Sequence, residues 1–338
     1  MNRLVRGEHR EARGYAEQLV RIAPRVSESE LEVQAYWALG CGQFYMGDFD
    51  RAHASFRRVI DFYDRDKHRS VAFRFGQDPC MSSMVLESHV LWLLGYSEQS
   101  SAMDALAISL ARSLKHPFTM AWCLAMLAME DIEKRDFSRA DERLGEGILL
   151  SRDCGFSDVE TNLHDLRTIR LLLEGAVPQV RADARSASRT RTEQGKGLHH
   201  PYGYTESAEA LGRAKRFDKA LPAVELALKL IDQTGERYWE AEARRILGDL
   251  LMAQPLAYDR TALKQAESSF RRAIEIAREQ NARTLELRAT ISLARLLGNE
   301  GRRGEAHEKL AAIYNWFTEG FDTADLKQAK ALLDELSS

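Results

Sequence analysis

The residues that first invite a chemical reading are the adjacent pair His199-His200, followed by Pro201-Tyr202, and a basic run in which Arg181, Arg185 and Arg189 recur every fourth residue before Arg191 and Lys196. Paired histidines would suit a metal or a catalytic role. Their spacing argues against both, since ligands on one helix face stand at i and i+4, and no cysteine or carboxylate set lies nearby to complete a coordination shell. Pro201 reads instead as the start of a helix that follows Gly195-Lys196-Gly197. The arginines could neutralise phosphates, but Asp183 and Glu193 dilute them and no aromatic residues interleave to stack on bases. A nucleic-acid partner is not expected. No GxxxxGK[ST] loop is present to cradle phosphates, and no Gly-x-Ser-x-Gly turn to hold a nucleophile. The expectation is a chain with no catalytic residue, no metal and no cofactor.

Composition limits the remaining classes. The 338 residues are 44% hydrophobic and 29% charged, the balance of a soluble folded chain, and the net charge of −3 gives no global field to draw it onto nucleic acid or an anionic bilayer. Cys41, Cys80, Cys123 and Cys154 are widely spaced, with no CxxC or Cys/His cluster, so reduced thiols are expected. Residues Met1 to Gly14 carry charges rather than an apolar run, and no stretch of about 18 apolar residues occurs, so neither a secretory signal nor a membrane partner is expected. The reading is cytoplasmic.

The elements that must position any site follow from an internal repeat. One unit reads Tyr36, Leu39, Gly40, then Gly47-Asp48-Phe49-Asp50-Arg51-Ala52, then Phe56 and Val59. The same punctuation returns at Arg135 to Ala140, Lys215 to Ala220 and Gly301 to Ala306, with weaker versions at Gly7 to Ala12, Gly95 to Ser100, Gly175 to Val180 and the stretch ending at Ala266. The landmark positions 12, 52, 100, 140, 180, 220, 266 and 306 are separated by 40, 48, 40, 40, 40, 46 and 40 residues. A small residue is needed there because two helices cross closely, and the larger residues four and seven positions later fill the gap beside it. The predicted fold is all-α: a tetratricopeptide-like α-α superhelical solenoid of about eight helical hairpins. It divides into a truncated first repeat at 1–26, repeats at 27–63, 80–115, 117–153, 156–192, 200–235, 237–280 and 284–315, and a capping helix at 322–336 with apolar Leu326, Ala329, Leu333 and Leu336. The long intervals read as insertions: Asp64 to Arg69 with Phe73-Arg74-Phe75-Gly76, and Gln254 to Asp259 around Pro255. Only Met1 to Arg6 remain for the first helix of the first repeat, so an upstream element is expected to be missing.

Over nearly its whole length the chain resembles the C-terminal tetratricopeptide region of large bacterial proteins that join a class III nucleotide cyclase domain to an AAA/STAND-type ATPase. The resemblance rests on Leu114 to Phe118, Glu240 to Gly248, Leu285 to Ala289 with Leu293 to Leu296, and above all Tyr314-Asn315-Trp316-Phe317-Thr318-Glu319-Gly320-Phe321-Asp322-Thr323-Ala324-Asp325-Leu326-Lys327. It implies a sensory or scaffolding arm, with a nucleotide cyclase or ATPase module in cis or in trans as a partner and the phosphate chemistry outside this chain.

If the first helix of each repeat lines an inner wall, the register puts Trp37, Phe44, Tyr45, His89, Trp92, Trp122 and Met129 at or near it, where they could grip an amphipathic helix or extended peptide. The same residues would also serve as helix-to-helix packing. A polar continuation follows at Asp165, Glu242, Arg245, Asp249, Arg288 and Arg295, readable as a second surface or as pairing within helices. The expected function is therefore a non-catalytic protein-interaction or regulatory arm. The alternative is a small-ligand sensor of a STAND-type regulator, which would need an enclosed pocket with convergent polar groups.

Overall fold

Where a helical hairpin reverses tightly, one residue must take a positive φ, which glycine adopts without penalty and other residues do not. In this chain that residue falls at a fixed place, five positions before seven of the eight landmarks: Gly7, Gly47, Gly95, Arg135, Gly175, Lys215 and Gly301 all have φ between 56° and 100°. A second left-handed residue closes the hairpin fifteen positions after the landmark, at Lys115, Gly155, Gly235 and Asn281. The backbone thus repeats with the sequence. Arg135 and Lys215 occupy a conformation that suits glycine, so Lys215→Gly, at an exposed turn, is expected to stabilise the chain by about 0.5–1 kcal/mol. Urea unfolding of the two proteins checks it.

The structure, a computed structural model, describes residues 3, 6–26, 29–68, 71–175, 198–254 and 260–337; the basic run from Arg181 to Lys196 and the Pro255 insertion lie outside them. Every regular element among the described residues is a helix, and none is long and apolar enough to cross a membrane. The chain falls into two units, Met1–Trp92 with Glu98–Leu171, and Leu93–Ser97 with Leu172–Ser338.

The first unit contains α1 (His9–Val26), α2 (Ser29–Tyr45), α3 (Phe49–Phe62), two short helices α4 (Arg65–His68) and α5 (Val71–Phe75), then α6 (Pro79–Leu93), α7 (Ser97–Leu114), α8 (Pro117–Glu133), α9 (Phe137–Cys154) and α10 (Ser157–Leu173). Here α2 packs on α1 and α3, and α8 on α9. The charged insertion after Tyr63 is helical in part because Asp64 Oδ1 accepts the backbone N–H groups of Asp66 and Lys67, capping α4.

The second unit contains α11 (His200–Arg213), α12 (Phe217–Thr234), α13 (Glu240–Ala253), α14 (Arg260–Glu279), α15 (Arg283–Asn299), α16 (Arg303–Tyr314) and α17 (Ala324–Ser337). Consecutive helices pair as hairpins, and the first helices of successive hairpins, α11, α13 and α15, also touch, with α17 packed against α15 and α16. Leu326, Ala329, Leu332 and Leu333 of α17 close the apolar cluster around Phe270, Ala306 and Leu310. The small landmarks lie inside: Ala52, Ala140, Ala220, Ala266 and Ala306 are fully buried. On the facing helix the approach is tighter still. A Cβ on Gly40 would stand 2.6 Å from the Phe56 ring, and one on Gly248 2.4 Å from the Phe270 ring, so these helices cross on glycine against a fully buried aromatic.

Candidate functional site

In a stacked hairpin the first helix is covered on several sides, so any charged residue it carries must find a partner or give up its charge. Two such charged clusters form, one in each unit.

In the second unit the cluster crosses successive first helices. Arg245 of α13 grips Glu242 with two hydrogen bonds of 2.7 and 2.8 Å, reaches Asp249 at 2.5 Å and approaches Glu209 of α11 at 3.8 Å. Arg288 of α15 lies 3.6 Å from Glu242 and donates to both carboxylate oxygens of Asp325 on α17, at 2.9 and 3.0 Å. Glu242 and Arg288 are buried, whereas Arg245, Glu209 and Asp325 keep 12 to 15% of their side-chain surface and Asp249 keeps 43%. Burial alone would lift the Glu242 carboxyl, but Arg245 beside it and Arg288 behind it carry it below the usual carboxylate range. The two-pronged Arg245–Glu242 contact fixes the guanidinium plane, leaving its outer edge and Asp249 at the surface in a set orientation.

Four of the six polar candidates, Glu242, Arg245, Asp249 and Arg288, therefore come together. Arg295 stands exposed on α15, and Asp165 is half-buried on α10 of the other unit. Glu209 and Asp325 belong to the cluster and were not singled out in the sequence. The repeat carried a signal for Glu209, which stands one residue after Ala208, as Asp249 follows Gly248 and Arg295 follows Ala294.

In the first unit the aromatic candidates are mostly inside. Trp37, Phe44, Tyr45, His89, Trp92 and Met129 are each at most 6% exposed, and Trp122 is half-buried. His89 forms an ion pair of 2.5 Å with Glu133, with its ring against Phe44 and Trp92. Burial would depress the imidazole, but Glu133 outweighs it and raises the His89 pKa.

The same unit holds a polar network that the sequence reading did not single out. Where Gly40 faces Ala52 and Phe56 in the α2–α3 hairpin, the α6–α7 hairpin places Ser88, Ser100 and Asp104, all buried. Ser88 Oγ lies 2.5 Å from Asp104, 3.0 Å from Glu130, and 2.9 Å from both the carbonyl and the hydroxyl of Ser100. Lys134 reaches Ser100 Oγ at 2.8 Å and Glu130 at 2.6 Å, while Arg143 reaches Asp104 at 3.2 Å and Asp131 at 2.8 Å. A serine hydroxyl has one proton, so Ser88 cannot donate to all its neighbours. One assignment uses each proton once: Ser88 donates to Asp104, Ser100 donates to Glu130, and Lys134 donates to both Ser100 and Glu130. Burial and the neighbouring Glu130 raise the Asp104 carboxyl, and burial pushes Asp131 up to about 8 against the pull of Arg143 and Arg139, whereas Lys134 keeps Glu130 low despite its burial. Three carboxyl groups thus face two well-buried cations, Lys134 and Arg143, with Arg139 adding a partly exposed third.

The remaining candidates are structural. His199 has a left-handed backbone and donates its N–H to Glu236 at 3.0 Å, placing Pro201 in the first turn of α11. Cys41, Cys80 and Cys123 are buried and Cys154 is exposed, all as free thiols; burial pushes those of Cys41 and Cys123 up to about 12. Among the described residues no three His, Cys, Asp or Glu side chains gather as a metal site.

With this geometry in hand, no family model matches the chain. An uncharacterized protein of Rhizobium meliloti (strain 1021) is similar, 24% identical over 281 residues that cover 80% of this chain and 26% of that protein. The crystal structure of the yeast Tom70 superposes with a TM-score of 0.47 at 14% identity, over 97% of this chain and 58% of the Tom70 chain. The chain spans about a quarter of the length of the curated relative it matches.

Proposed function

We propose that the chain is a non-catalytic protein-binding module whose second unit reads an extended polar peptide along Glu209, Arg245, Asp249, Arg295 and Asp325. The observation that carries this reading is that α11, α13 and α17 contribute Glu209, Arg245 with Asp249, and Asp325 to one connected row, held from behind by buried Glu242 and Arg288, with exposed Arg295 on α15 outside those ion pairs. A partner meeting such a row loses little side-chain entropy, because the guanidinium is already oriented. Two surface cavities among the described residues of the second unit are open grooves, which favours a peptide over the small ligand of a sensor. In the first unit the buried aromatics hold hairpins together in this reading, leaving half-buried Trp122, among the seven candidates, to touch a partner.

The regulatory part of the proposal, coupling to a nucleotide cyclase or ATPase module in cis or in trans, rests on the resemblance centred on Tyr314 to Lys327. A similar region that makes up a quarter of its relative supports a place in a larger protein.

The test is selection of displayed random peptides on the full chain, followed by affinity measurement with Asp249→Ala and Arg295→Ala, both at accessible side chains. At least one variant should bind the selected peptides about tenfold more weakly, the loss of one charge-assisted contact. Selected peptides that bind both variants with unchanged affinity would remove the row from the proposal.

A further inference from the structure

The second unit has another charged surface, on the opposite helices of its hairpins. A groove of about 550 Å³ runs along α14 beside α13, lined by Arg244, Lys264, Arg271 and Arg272 against Glu267 and Glu275. The excess is positive in a chain whose net charge is −3. Two of the four cations are already engaged: Arg271 by Glu267 and Glu305, Arg272 by Glu275 and Glu279. Arg244 and Lys264 have no carboxylate partner among the described residues, and the Nε of Arg244 is buried without an acceptor. An unmatched buried donor is costly, and a carboxylate bound at the accessible end of the same guanidinium would offset part of that cost.

At Arg271 and Glu275 this groove meets a second one of about 270 Å³, between α14, α15 and α16. Its lining includes Ile274 and exposed Ala312 over buried Leu293, with Glu308 and with Arg278 and Lys309, which are paired to Glu286 and Glu305. A cationic trough therefore adjoins a seat for one aliphatic side chain. No aromatic residue lines either groove to stack on bases, so the combination suits a peptide better than a single-stranded nucleic acid.

We infer that this face binds a short acidic peptide segment carrying an aliphatic residue, its carboxylates meeting Arg244 and Lys264 and its aliphatic side chain resting on Ile274 and Ala312. The inference deepens the protein-binding reading and uses a surface separate from the Glu209–Asp325 row.

The test is fluorescence anisotropy with the full chain and a labelled synthetic peptide of eight acidic residues around one leucine. Binding should weaken about tenfold in the double variant Arg244→Gln/Lys264→Gln, at unchanged helix content and thermal midpoint, and fall as salt is raised. Replacing the peptide leucine with serine should weaken it several-fold, and a peptide of lysines should not bind. No binding of the acidic peptide, equal binding by the double variant, or equal displacement by oligodeoxythymidylate would each overturn the inference. Variants Asp249→Ala and Arg295→Ala should leave this peptide's affinity unchanged. Binders selected from the random library that respond to those two variants would uphold the protein-binding reading even if the acidic peptide failed.

Discussion

Replacing Arg143 with methionine is expected to remove about 3–5 kcal/mol at pH 8, because Asp104 and Asp131 would then lie buried beside Glu130 without the cation that contacts both. For a chain of this size that is a fall of the order of 10 °C in the unfolding midpoint. The loss should shrink on acidification, and its sign follows from the carboxyl groups. In the native chain Asp104 and Asp131 hold protons more firmly than they do unfolded. Between the ordinary carboxylate pKa near 4 and the native value of about 8 for Asp131, the folded state binds more protons than the unfolded one, so stability from this pair falls as pH rises. Removing Arg143 raises both groups further and steepens that fall. Urea unfolding of wild type and variant at pH 5.5 and pH 8 measures it: a gap that narrows at pH 5.5 supports the raised carboxyl groups, and an equal gap at both contradicts them.

Phe270→Ala should cost about 3–5 kcal/mol through the cavity left beside Gly248, in the fully buried centre of the α13–α14 hairpin. The pairing makes a sharper statement than the loss itself. In the native background Gly248→Ala should destabilise by about 1–2 kcal/mol, since its methyl would meet the Phe270 ring at 2.4 Å and that ring has no free space. In the Phe270→Ala background the same change should stabilise, by up to about 1 kcal/mol, because the clash is gone and alanine favours helix over glycine. A double-mutant cycle by chemical denaturation reads the reversal of sign. Additive effects would mean that the helices do not cross on this contact.

Much of the hairpin architecture was legible because close helix crossings demand a small residue at a fixed place, and Ala52, Ala140, Ala220, Ala266 and Ala306 occupy it. The C-terminal helix was legible for a similar reason: Leu326, Ala329 and Leu333 form one stripe. The helical turns α4 and α5 were not, since the charged residues after Tyr63 look like a linker until Asp64 is seen to cap them.

The sites were less legible than the fold. Periodicity assigns Trp37, Phe44 and Trp92 to the first helices of their hairpins, but their exposure depends on which neighbouring helices close over them, and that is a tertiary property. In a search for small residues Ser88 and Ser100 pass as equivalents of glycine and alanine, which hides their hydroxyl groups. Asp104 at the aromatic position was the one visible departure, and its partners Glu130, Lys134 and Arg143 come from a different hairpin. In the second unit Glu242 and Arg245 looked like an ordinary i, i+3 pair, and only the stacking of α11, α13, α15 and α17 joins them to Glu209, Arg288 and Asp325.

The most direct test of the binding reading is amide hydrogen exchange on the full chain with and without a peptide selected from the random library. New protection in α13 and α15 around Asp249 and Arg295 is the expected result. Protection confined to the first unit, or no change anywhere in the second, would contradict it.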